Sequence, residues 1–302
     1  MMCALPSAFL LAFAMPVAAD DVFLNVSTKE NVDTATMLNI GTSFSNEQNL
    51  YSISFSNKRA HGKDGRQFHM SVGNGLQSGF SGLVKTIAVS VNGIDARRLQ
   101  LKKEKFRQWS GPDGEQGVKF ALNFDGAWVD LSFSMRPGSP VLWCEMAKSS
   151  DERQFSPVTN VAIKVTAIPS FLECGSGRKT RFYKYARQVR TAGRLLSLPP
   201  NRTESILPAD TYFIMQDGEY DGSADGKGRG PSATWPVAPT KGVITLSDSW
   251  TTSVEYRPDL SRPFRFALLE YKSKRMSNDE FRAKLVECIR ARIGRGTRTS
   301  KR

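Results

Sequence analysis

The amino-acid sequence predicts an all-β fold: a large antiparallel β-sandwich, of plain or super-sandwich form, with one C-terminal amphipathic helix. Three observations predict it. Apolar residues alternate with polar ones around an Asp-Gly turn. Similar short apolar runs recur with no helical pattern between them. A capping signature and helical spacing appear only near the end of the chain.

The alternation is clearest where Val118, Phe120, Leu122 and Phe124 are separated by Lys119, Ala121 and Asn123, and Val129, Leu131, Phe133 and Met135 by Asp130, Ser132 and Ser134. Between the two runs stands Asp125-Gly126, a pair that tolerates the positive φ angles of a tight hairpin. After Pro137-Gly138-Ser139-Pro140, the run from Val141 to Met146 predicts a third strand of a meander. Further strands are expected at Tyr51, Ile53 and Phe55, and at Ile87, Val89 and Val91 before Asn92-Gly93. The pattern returns at Val161, Ile163 and Val165, and in residues 212–215, 243–246, 251–256 and 264–269. Such strands, separated by Gly, Pro, Asn and Asp, indicate antiparallel sheets in place of β-α-β units. Near the end, Ser277 and Glu280 form a capping box ahead of Phe281, Leu285, Cys288, Ile289 and Ile293, with Gly294 as the expected stop.

Residues 4–15 are apolar and uncharged and precede Pro16-Val17-Ala18-Ala19, which predicts a leader over residues 1–19 and export to the periplasm or exterior. A single sandwich domain is expected over 20–293 and a disordered basic tail over 294–302. Loss of the leader removes Cys3, leaving Cys144, Cys174 and Cys288. The favoured disulfide is Cys144–Cys174, the alternative three buried thiols. His61 and His69 have no partner at metal-ligand spacing, so no zinc site is expected.

Charge is concentrated. Residues 174–203 hold eight basic and no acidic side chains, and residues 288–302 hold six more. The remaining 28 Lys and Arg face all 29 Asp and Glu, so these two stretches carry the whole net charge of +13. Localised positive charge attracts an anionic partner. Export excludes nucleic acid as the default and leaves acidic glycans or other extracellular polyanions, with membrane-surface contact available to the basic helix and tail.

Within the first stretch, an extended chain places Arg181, Tyr183, Tyr185 and Arg187 on one side and Phe182 and Lys184 on the other. Arg181, Tyr183, Lys184, Tyr185 and Arg187 form the expected ligand strip, because guanidinium binds carboxylate bidentately while Tyr stacks on a sugar. The competing reading is a charged edge strand that resists aggregation. Trp109, Trp235 and Trp250 lie beside turn formers and are read as loop platforms for a sugar; Trp128 and Trp143 lie in strand patterns and are read as core. Residues 217–225 offer Asp217, Glu219, Asp221 and Asp225 at alternate positions. This resembles the first nine positions of an EF-hand calcium loop, although Gly228 stands where the bidentate Glu belongs. No nucleophile elbow occurs. The expectation is therefore an exported protein that binds acidic carbohydrate or another polyanion. The alternatives are a polysaccharide lyase or glycosidase, with His61, His69, Tyr183 and Tyr185 available as bases, and an envelope structural protein.

Overall fold

A computed structural model describes residues 22–29, 35–44, 47–59, 66–74, 84–96, 106–167, 187–197, 199, 201–217, 231–246, 251–270 and 277–296, with residues 22–86, 106, 217, 270 and 292–296 described by backbone alone. Among the described residues every strand pair is antiparallel, in three sheets. The first four strands, β1 (Val22–Lys29), β2 (Ala35–Phe44), β3 (Glu47–Arg59) and β4 (Arg66–Asn74), make a meander. A nine-stranded sheet runs in the order β13 (Leu195–Leu196), β12 (Arg187–Thr191), β15 (Phe213–Asp217), β16 (Ser232–Pro236), β19 (Phe264–Glu270), β10 (Leu142–Lys148), β9 (Ala127–Met135), β8 (Gln116–Phe124), β7 (Phe106–Ser110). The six-stranded sheet has the order β14 (Arg202–Ser205), β17 (Lys241–Leu246), β18 (Thr252–Arg257), β11 (Val161–Ala167), β5 (Val84–Val91), β6 (Ile94–Asp95). The chain is therefore an all-β sandwich with one C-terminal helix, α1 (Asn278–Gly296).

The predicted hairpin joins β8 to β9, with Asp125 at φ 53° and Gly126 at φ 86°, both in the left-handed region an Asp-Gly turn supplies. Period-two patterning then sorts each strand's side chains. Phe120 and Phe133 point inward to meet Val89 of β5 and Val165 of β11 in one buried core. Tyr256 of β18 lies at its centre, its ring 6.0 Å from Phe213, 5.6 Å from Phe264 and 5.7 Å from Phe266. Each such side chain, fully buried, contributes about 1.5–3 kcal/mol. The Tyr256 hydroxyl is paired with Thr234 Oγ1 at 2.9 Å, and burial pushes its pKa far above the ordinary phenol range.

The opposite face of the large sheet carries a second core. Trp143, Ile214, Ala233, Trp235, Ala267 and Leu269 are covered there by Phe281 and Leu285 of α1. The capping box forms as the sequence predicts: the Ser277 N–H donates to Glu280 Oε2 at 2.6 Å, and the Glu280 N–H donates to Ser277 Oγ at 3.2 Å. The helix continues past Gly294 to Gly296, so three residues of the expected tail are helical. A helical glycine costs only about 1 kcal/mol relative to Ala, too little to stop a helix by itself.

Cys144 corrects the expected disulfide. It is a free thiol, fully buried on the inner face of β10 between its cross-strand neighbours Phe133 and Phe266, and desolvation pushes its pKa up. Cys174 lies outside the described residues. Cys288 is also free, half-buried beside the helix-side core, with its pKa pushed up to about 11 by burial.

At the other edge of the large sheet, Arg194 holds Asp210, donating from Nε at 3.2 Å and from Nη2 at 2.7 Å, while the Leu207 N–H donates to the same carboxylate at 2.9 Å. Burial works against the charged form, yet these bonds hold the Asp210 carboxyl below its usual range. A depressed folded pKa gives stability that is present above the unfolded value, about 3.9, and lost as pH falls through the folded one. Asp210→Asn is therefore expected to lower the urea midpoint at neutral pH and to converge on the parent protein in acid, read from urea melts across pH.

Candidate functional site

Beside the patch covered by α1, the same outer face of the large sheet turns polar. Strand register aligns one residue from each of five strands: Arg107 of β7 opposite Lys119 of β8, then Ser132 of β9, Glu145 of β10 and Arg265 of β19. Two positions along the strands, a second row reads Trp109, Gly117, Ser134, Trp143, Ala267 and Trp235. The first row, with Trp109, Ser134 and Trp143 of the second, borders a cleft of about 530 Å³.

Local features hold each part in place. Between β7 and β8 the chain makes a 3-10 turn over Pro112–Gly114, with the Gly111 N–H donating to Glu115 O at 2.7 Å. That turn aims the Glu115 carboxylate back over the sheet, where Ser134 Oγ donates to it at 2.7 Å, Arg136 Nε at 2.9 Å and Arg265 Nη2 at 3.2 Å. The Arg265 guanidinium also lies over the Trp143 ring, 5.1 Å from its centroid, and Trp143 meets Trp235 edge to face at 5.9 Å. Trp109 is half-buried and lies flat against two glycines. A Cβ on Gly117 would sit 2.6 Å from Trp109 Cε2 and Cζ2, and one on Gly111 would sit 3.0 Å from its Cζ3. Gly117→Ala is expected to cost about 1–3 kcal/mol through overpacking, since that Cβ would also meet the Phe133 carbonyl; denaturant melts read it.

The other side of the row is anchored by the loop after β10. Gln154 exchanges two 2.8 Å hydrogen bonds with the backbone of Trp128, which pins the loop to β9 and brings Asp151 over the sheet. Lys119 donates to Asp151 at 2.8 Å and lies 3.3 Å from Asp130; Arg107 reaches Asp151 at 3.2 Å. The hydrogen bond from Asp151 raises the Lys119 pKa against an opposing burial effect, with Asp130 adding to the rise. Reciprocally, the hydrogen bond and charge of Lys119, followed by the charge of Arg107, lower the Asp151 pKa. Glu145 is different. Its half-buried carboxylate makes no hydrogen bond or ion pair to a described residue, and neither does the Ser132 hydroxyl beside it.

The structure redistributes the residues singled out from sequence. Arg181, Tyr183, Lys184, Tyr185, Trp250, His61, Glu219, Asp221 and Asp225 lie outside the described residues. His69 falls within β4 and Asp217 ends β15, described by backbone. Arg187 begins β12 and is buried on the inner side with Val189, its Nη1 donating to the Thr251 carbonyl at 3.3 Å, so it is not part of an exposed strip. Trp235 is no loop platform: it is a strand residue, 3% exposed, packed beneath α1. Trp109 also belongs to a strand, though to one at the rim of the cleft. Sequence reasoning missed Glu145, Arg265, Lys119 and Glu115, which come together only through strand register.

No family model and no curated protein matches this chain. Among solved structures it is similar to the GH36 α-galactosidase AgaB of Geobacillus stearothermophilus, at 8% identity and TM-score 0.44, covering 82% of this chain and 41% of that chain. It is similar also to the AgaA A355E enzyme of the same organism, at 8% identity and TM-score 0.42, covering 74% and 39%. For the α-galactosidase of Lactobacillus brevis the values are 12% identity and TM-score 0.38, covering 82% and 39%. The aligned region spans about two-fifths of each of those chains.

Proposed function

We propose that this chain binds carbohydrate in the cleft on the outer face of β7, β8, β9, β10 and β19. The observation that carries the reading is the Glu145 carboxylate, half-buried and unengaged by any described residue, set in a row with the Ser132 hydroxyl and bordered by Trp109. A carboxylate with free lone pairs accepts hydrogen bonds from paired hydroxyls, and a half-buried indole offers a flat apolar surface to the C–H face of a sugar ring. A small number of fixed polar groups on an aromatic floor is what orients a ligand of this kind. The apolar run before Ala18-Ala19 supports export, which would bring the cleft to extracellular glycans.

Calorimetry with immobilisation-free oligosaccharides tests the proposal. Trp109→Ala and Glu145→Gln are each expected to weaken binding by about tenfold or more, the loss of one good contact. Unchanged affinity in both variants would place any sugar binding elsewhere on the molecule.

A further inference from the structure

We infer that this cleft selects an uncharged saccharide over an acidic one, an inference that rests on the carbohydrate reading above. Among the described residues, eight charged side chains border the row, and their signs cancel: Arg107, Lys119, Arg136 and Arg265 against Glu115, Asp130, Glu145 and Asp151. Every one of the four cations is already engaged. Arg107 and Lys119 converge on Asp151, at 3.2 and 2.8 Å, and Lys119 also faces Asp130 at 3.3 Å. Arg136 and Arg265 converge on Glu115, at 2.9 and 3.2 Å.

A ligand carboxylate entering the row finds the charge of each guanidinium already balanced by Glu115 or Asp151, so it gains less from the remaining N–H donors than a free cation would give, and it meets Glu145 as a like charge. Both effects oppose binding. Hydroxyls meet neither obstacle. The free groups of the row, the Glu145 carboxylate and the Ser132 hydroxyl, accept and donate hydrogen bonds that sugar hydroxyls satisfy without any exchange of ion pairs. None of these eight comes from residues 174–203 or 288–302, the two stretches whose sequence carries the net charge. Of the first group, Arg187 is committed to a backbone carbonyl and Arg194 to Asp210.

The test compares ligands that differ only at C6: galactotriose against trigalacturonate, and cellotriose against its glucuronate counterpart, by calorimetry on the full chain at low and high salt. The expected result is that a neutral member binds with an affinity insensitive to salt. Its uronate partner should be about tenfold weaker or more, the size of a partly screened like-charge contact. Glu145→Gln is expected to close that gap by improving uronate binding relative to neutral. Tighter binding of the uronates, weakening as salt rises, would overturn the selectivity while leaving carbohydrate binding intact. No binding of any saccharide would overturn both.

Discussion

Phe281→Ala is expected to destabilise the docking of α1 by about 3–5 kcal/mol, the usual cost of emptying a fully buried aromatic site. Phe281 is completely buried against the outer face of the large sheet, and with Leu285 it supplies the two fully buried apolar contacts among the described side chains of the helix. Both Trp143 and Trp235 lie in that patch, so release of the helix should expose two indoles that are now 6% and 3% accessible. Urea melts followed by tryptophan fluorescence read the loss as an early transition with a red-shifted signal. Arg290→Ala, on the exposed side of the same helix, is the control and should stay within about 0.5 kcal/mol of the parent. An unchanged midpoint in the Phe281 variant would mean that α1 is not held by this patch.

Glu115→Ala carries the second large effect, about 2–3 kcal/mol of lost stability. The carboxylate is 6% exposed and receives three hydrogen bonds, two of them from arginines that retain 36% and 25% exposure. Removing one member of a buried ion cluster costs about 3–5 kcal/mol, and the partial hydration of both guanidiniums brings the value down. Glu115→Gln keeps an acceptor for Ser134 and should lose less. In both variants Arg136 and Arg265 are released, so the cleft becomes cationic and uronate binding should rise. Chemical denaturation and the paired calorimetry described above measure the two consequences separately.

The strands that could be read from sequence are those with one apolar and one polar face. β8 and β9 alternate because their outer side carries Lys119, Asp130 and Ser132 while their inner side packs in the core. β16 could not be read that way. Its Ser-Ala-Thr-Trp-Pro is buried on both faces, Thr234 meeting Tyr256 inside and Trp235 lying under the helix outside, so no alternation marks it. That is also why Trp235 passed for a loop residue between Gly- and Pro-rich neighbours. Helix α1 was legible because its cap is local: two residues three apart make both hydrogen bonds. The site was not, because it takes one residue from each of five strands between Arg107 and Arg265, at separations set by loop lengths and register and by no motif. Of the expected basic strip, Arg187 alone falls among the described residues, and it serves the fold.

Strand β10 carries three environments in five residues. Leu142, Cys144 and Met146 enter the sandwich interior, Trp143 enters the layer under α1, and Glu145 enters the cleft. In a sheet with one wet face, a slip by one residue exchanges apolar for polar. Here it would drive the Glu145 carboxylate into the interior and strip the helix of its indole in a single move. Misaligned pairings of the central strands are thus penalised from both sides at once, and the alignment that assembles the cleft is the same one that the two cores enforce.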